Sequence, residues 1–211
     1  MGVTAVEDRP LRADAARNVA RILRAARDTY GELGPDASVE AVAHRAGVGE
    51  RTLYRRFPTK ASLVRAALDH SVAENLTPAI DVARRSDDAL AGLADLIGAA
   101  ISLGARERNL LTAAHRAGSL TPDISVALND ALGELVRRGQ QAGRIRADLV
   151  ADDLPRLIAM LYSVLSTMDL AGNGWKRYVA LVLDAISTGD RRPLPPAPAF
   201  RYAGDPNSWP L

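Results

Sequence analysis

The sequence predicts an all-α protein, and three observations carry that expectation. Apolar residues recur at helical spacing along most of the chain, glycine and proline fall between those segments, and no stretch alternates at period two. Its 211 residues, 47% hydrophobic and 25% charged, suit a soluble globular protein with a sizeable core. About nine helices are expected, in a helix-turn-helix unit followed by a larger helical domain. The expected divisions are an N-terminal arm over 1–13, the helix-turn-helix over 14–59, the larger domain over 60–189 and a proline-rich tail over 190–211.

The first periodic segment runs from about Asp14 to Leu33, with Val19, Ile22, Leu23, Ala26, Tyr30 and Leu33 on one stripe, and Gly34-Pro35 ends it. Ser38 can cap a short helix through Ala46 whose Val39, Val42, Ala43 and Ala46 face inward. Gly47-Val48-Gly49 supplies a tight corner. The next helix spans about Glu50 to Phe57, Pro58 stops it, and Thr59 can cap a fourth helix starting at Lys60. Helix, glycine-bearing turn and helix make a helix-turn-helix.

Net charge is only +2, but it is unevenly spread. Residues 1–60 hold eleven Arg and Lys against eight Asp and Glu, and between His44 and Arg65 the bases Arg45, Arg51, Arg55, Arg56, Lys60 and Arg65 are opposed only by Glu50. Like charges at helical spacing repel, so the stretch AGVGERTLYRRFPTK is built to meet an anion. Taken alone, such a cluster also reads as a solvated face. Leu53 and Phe57, four residues apart, can anchor the inner side, which leaves Arg51, Thr52, Arg55 and Arg56 elsewhere on the circumference. Arginine can grip guanine or phosphate, threonine can touch a thymine methyl, and the Tyr54 hydroxyl can reach a phosphate. Glu50 suits the positive end of the helix dipole, with a cytosine amino group as the other option.

Residues 17–65 resemble the N-terminal DNA-binding domain of the TetR family of bacterial transcriptional regulators. The matching positions are Tyr30, Gly34, Ser38-Val39, Ala46-Gly47-Val48, Thr52-Leu53-Tyr54, Phe57, Lys60 and Leu63. By that resemblance Ser38, Tyr54 and Lys60 hold phosphates while Glu50, Arg51 and Thr52 face base edges. Gly49 stands where the family often has serine, and Arg51 where a small residue is common. The operator sequence therefore cannot be borrowed from a relative.

Helices are expected from Lys60 to about Arg84 with a kink at Pro78, then 87–103, 106–117 and 122–141. Gly143 to Leu149 is a connector, Asp152 or Asp153 starts the next helix, and a last one spans 175–187. This half is similar to the effector and dimerisation domains of many actinobacterial members of that family. Leu154, Ile158, Leu161, Leu165 and Met168 are spaced as a coiled-coil seam, and Trp175, Val179, Val182 and Ile186 repeat the pattern. These nine residues are the expected dimer interface. A second apolar line on the same helices includes Leu157, Val164, Tyr178 and Leu181, so one line can face the core and the other a partner. Thr112, His115, Asn129 and Tyr162 are the few polar side chains that can orient a mainly apolar effector among many leucines and alanines.

Other chemistry finds little support. With no cysteine, disulfides, thiolate catalysis and Cys-ligated zinc are excluded. His44 and His70 are expected at the surface, and the three histidines form no H-E-x-x-H or ligand cluster. No nucleophile elbow or phosphate loop is present, and the pairs Asp87-Asp88 and Asp152-Asp153 fall at helix starts. No cofactor, metal or catalytic role is expected. The Asn75-Leu76-Thr77 sequon reads as chance, since the N-terminus lacks an apolar signal region. No segment reads as long and apolar enough to span a bilayer, so cytoplasmic location is expected. The expectation is thus a homodimeric repressor of double-stranded operator DNA, released by a small molecule. The alternatives are an effector-free structural DNA-binding protein and an α-helical enzyme with a vestigial helix-turn-helix.

Overall fold

The computed structural model describes residues 8–119, 123–165 and 174–189. Among these there are nine helices and no strand: α1 Asp8–Leu33, α2 Val39–Ala46, α3 Glu50–Arg56, α4 Lys60–Arg85, α5 Ala89–Arg106, α6 Arg108–Arg116, α7 Asp123–Gln141, α8 Asp153–Leu165 and α9 Trp175–Ile186. An isolated antiparallel bridge joins Ile145 and Ser187. The first helix begins at Asp8 rather than Asp14. Pro10 is tolerated in a first turn, and Leu11, Arg12 and Ala13 are good helix formers. Pro78 lies inside α4 without ending it.

Packing divides the chain into two compact units. One takes residues up to His70 together with Glu107–Ser119, and the other takes Ser71–Arg106 and the described residues beyond 119. The boundary expected between residues 59 and 60 therefore falls inside α4, and α6 belongs with the first unit. Side-chain bonds to the first unit explain the second difference. Arg27 on α1 pairs with Glu107 at 2.8 Å, with Glu107 only 4% exposed. The Asn109 amide donates to the carbonyl of Tyr30 at 3.1 Å, and Arg116 donates to Asp36 at 2.9 Å. Beneath these contacts Leu110, Ala113 and Ala114 are buried.

In the first unit Ile22, Leu23, Ala26 and Tyr30 of α1 are buried, as are Val39, Val42, Ala43 and Ala46 of α2, Leu53 of α3 and Leu63, Val64 and Ala67 of α4. Leu33, expected on the inner stripe, is instead 62% exposed. It is the last residue of α1, and the chain turns away at Gly34 with a left-handed φ of 87°.

In the second unit α5 is the central element, in contact with α7, α8 and α9. Its Leu93, Leu96, Ile97 and Ile101 are fully buried against Leu132, Leu135, Leu154, Leu161 and Val179, among others. A Cβ at Gly104 would sit 1.9 Å from the Tyr162 ring, so only glycine admits α8 this close to α5. By length and composition α5 could cross a membrane, contrary to the sequence expectation, but half of its apolar window is buried in the core of this unit. Helix ends are tied off by side chains. Arg138 donates to the carbonyls of Arg84 and Ser86 at the end of α4, and Asp88 accepts from the amides of Leu90 and Ala91 at the start of α5.

The expected dimer seam is corrected by this packing. Leu154, Ile158, Leu161, Leu165, Val179 and Ile186 are each 6% exposed or less within a single chain, and Trp175 and Val182 pack against the same core. Side chains already sealed in their own core have no surface left to bury on a partner. The solvent side of these helices instead carries Met160 on α8 and Tyr178 and Leu181 on α9, with Met160 65% exposed. Met168 lies outside the described residues.

Candidate nucleic-acid interface

The candidate interface helix, α3, is positioned by α2. Ser38 takes an extended conformation and its hydroxyl accepts the Ala41 amide at 3.1 Å, which fixes where α2 begins. At the other end Gly47 adopts φ +62°, and the amides of Gly47 and Val48 return to the carbonyls of His44 and Ala43. A side chain there would be strained, so the corner depends on glycine.

Gly49 then precedes α3 without any side-chain cap, as its lack of a hydroxyl implies. The short helix is held by its buried face instead. Leu53 is fully buried and Phe57, just past the helix end, is 7% exposed. Pro58 follows, and Thr59 and Ser62 bond reciprocally, each hydroxyl accepting the other's amide at 3.0 to 3.1 Å, to start α4.

The opposite face is open. Glu50, Arg51, Tyr54, Arg55 and Arg56 are exposed and Thr52 is half-buried. Arg51, Arg55 and Arg56 form no ion pair among the described residues. Glu50, in the first turn, is favourable to the helix dipole. Lys60 is half-buried with its ammonium 5.7 Å from the centre of the Tyr30 ring. The neighbouring Glu40 carboxyl is held below the usual range by its own backbone amide, then by the Ser38 hydroxyl and least by Lys60.

Two of the six bases counted in the cluster are engaged elsewhere. Arg45 forms a two-pronged pair with Glu32 of α1, which lowers the glutamate's pKa chiefly through their hydrogen bonds. Arg65 pairs with Asp69 one turn on and also reaches the Ser119 carbonyl. The available positive charge is therefore narrower than the sequence count and is centred on α3. Charge counting alone cannot see such pairing, although Arg65 and Asp69, four apart on a helix, carried a readable signal.

His44 is exposed as expected, whereas His70 is half-buried, because that turn of α4 lies beside the first half of α1. The four candidate effector contacts fall in different units. Thr112 and His115 lie on α6 in the first unit, where the Thr112 hydroxyl donates to the Arg108 carbonyl. The His115 Nδ1 atom is buried without a hydrogen-bond partner. Asn129 is exposed on α7 in the second unit. There Tyr162 donates its hydroxyl to the Ala100 carbonyl at 2.5 Å, and burial pushes its pKa upward.

Comparison with known proteins adds two sequence matches. Residues 22–67 match the bacterial regulatory proteins of the tetR family, and residues 93–187 match the C-terminal domain described as transcriptional regulator SbtR-like. No curated protein matches the sequence. Among solved structures, the chain is similar to the TetR transcription regulatory protein from Mycobacterium vanbaalenii at 30% identity. That match covers 85% of this chain and 100% of that one, with a TM-score of 0.58. FadR from Bacillus subtilis, solved with stearoyl-CoA, shares the fold at 20% identity and TM-score 0.63, over 81% of this chain and 98% of its own. A transcriptional regulator from Saccharomonospora viridis, solved with choline, does so at 21% identity and TM-score 0.66, over 82% and 100%.

Proposed function

The chain belongs to the TetR family of bacterial regulatory proteins and is a DNA-binding transcriptional regulator, and from that premise we propose that it is a homodimeric repressor released from its operator by a small, mainly apolar molecule. The observation that carries this reading is the division of α3. Leu53 and Phe57 bind the helix to its unit, while Arg51, Arg55 and Arg56 stand exposed with no ion pair among the described residues. In the major groove Glu50, Arg51 and Thr52 meet base edges, and Ser38, Tyr54, Arg55, Arg56 and Lys60 hold the sugar-phosphate backbone. One such head covers a half-site, so specific binding needs two copies. The exposed Met160, Tyr178 and Leu181 supply an apolar patch for pairing α8 and α9 with a second chain.

Release requires an effector that prefers the DNA-incompetent arrangement, because equal affinity for both states shifts nothing. Relatives solved with stearoyl-CoA and with choline support a ligand-responsive role but give no common chemistry. Regulation of this kind acts on cytoplasmic DNA. The test is to sequence the genomic fragments that the purified protein retains, then titrate a recovered site with and without compounds that raise the thermal midpoint. Imperfect palindromes are expected, together with a stabilising compound that weakens DNA binding. By linkage, DNA must weaken that compound's binding by the same factor. Retained fragments with no shared sequence would refute an operator-specific repressor.

A further inference from the structure

A groove of about 720 Å³ lies within the first unit, between the first half of α1, the outer side of α3 and His70 of α4. Its α1 side is mostly apolar, with Ala15, Ala16, Val19, Ala20 and Ile22 beside a single amide, Asn18. Its edge on α3 carries Arg55 and Arg56, which form no ion pair among the described residues, and the described lining residues include no acid. Of the acids next in sequence to lining residues, Asp14 pairs with Arg17 and Asp69 with Arg65. Nucleic acid explains the arginines but not the α1 side, since a phosphate gains nothing from alanine and valine. A volume in the range of small-molecule sites, a largely apolar wall and two cations on its lining together specify the occupant.

We propose that this groove binds an amphiphilic monocarboxylate, a hydrocarbon acid whose tail lies along α1 and whose carboxylate is gripped by Arg55 and Arg56. A guanidinium fork matches a carboxylate in shape and charge, and the mutual repulsion of neighbouring arginines falls when an anion sits between them. The inference goes beyond the effector reading, because the site lies in the reading head and acts by occupying groups that DNA also needs. Only this consequence for DNA rests on the function proposed above. Ligand and DNA then exclude each other by direct competition, without a change of shape.

Equilibrium dialysis of the full chain with labelled decanoate, below its micellar concentration and without DNA, tests the site. Saturation at one molecule per chain is expected. Decanol, which lacks the charge, and acetate, which lacks the tail, should each bind at least about tenfold more weakly, as expected for loss of one charge-assisted contact or of several buried methylenes. Ala16→Glu puts an anion at the exposed edge of the α1 side, and Arg55→Gln with Arg56→Gln removes the grip; each should weaken decanoate at least about tenfold while circular dichroism and melting stay as in the parent. In a second arm, decanoate should displace DNA from the parent chain but not from Ala16→Glu at the same concentration. Unchanged decanoate binding by both variants, or equal affinity for decanol and decanoate, overturns the site. Binding that survives in both variants would place the acid elsewhere and leave the repressor reading standing. Failure to bind any DNA would refute that reading without touching the dialysis result.

Discussion

Salt dependence separates the arginines that face DNA from the one that does not. Arg55, Arg56 and Lys60 in both chains of a dimer offer about six cations to phosphates, which predicts a slope of log K against log salt of about −5. Affinity should then fall about a thousandfold between 50 and 200 mM salt. Arg55→Gln removes one contact per chain, two per dimer, so the slope should become shallower by about 2 and the same salt step should cost only about a hundredfold. Arg45→Gln is the internal control. Its guanidinium is held by both oxygens of Glu32 on α1, so its loss should leave the slope unchanged. Fluorescence anisotropy of a labelled operator over a salt series reads both values directly. Equal slopes for the two variants would show that pairing in the folded chain does not decide which charges meet DNA, and the assignment of α3 would fail with it.

Arg51→Ala should relax preference at one base position by about 1 to 3 kcal/mol while leaving non-specific affinity nearly intact, read by competition with operators altered one base pair at a time. Met160→Glu with Leu181→Glu should sediment as a folded monomer that has lost specific binding, because both side chains are exposed in the single chain. By contrast Leu161→Glu with Leu165→Glu should unfold the second unit, since both are buried within it. Glu107→Ala removes the short pair to Arg27 across α1 and α6 and should cost about 1 to 3 kcal/mol in denaturant unfolding of the first unit. Tyr30, whose pKa burial raises to about 12, keeps its proton in the folded chain after the unfolded chain has lost it near 10. Its contribution is therefore complete below pH 10 and declines as pH rises toward 12, which alkaline melting curves followed by tyrosinate absorbance can test.

The helix-turn-helix was legible because its signals are local. The Ser38 cap, the left-handed Gly47, the Pro58 stop and the Leu53–Phe57 spacing each act within a few residues, and the structure uses all four. What stayed hidden depends on contacts distant in sequence. The seam Leu154, Ile158, Leu161, Leu165 has the period of an interface, but a core helix shows the same period. Only the position of α5 decides which apolar line turns inward. Likewise nothing near residues 107–116 announces that Glu107 and Asn109 will bond to α1 some eighty residues earlier. The pairing of Arg45 with Glu32 bridges two helices, so counting charges overstated the surface available to DNA.

The absence of a side-chain cap at Gly49 has a consequence for how such a protein can change its target. Because α3 is secured chiefly by Leu53 and Phe57, with Glu50 adding only its favourable charge at the helix start, the side chains proposed to read DNA are largely not those that hold the fold. Substitutions at the exposed Glu50, Arg51 or Arg55 should then alter recognition at little cost to folding. A lineage carrying this scaffold can therefore drift between operators by single steps, each intermediate a folded protein open to selection on binding alone.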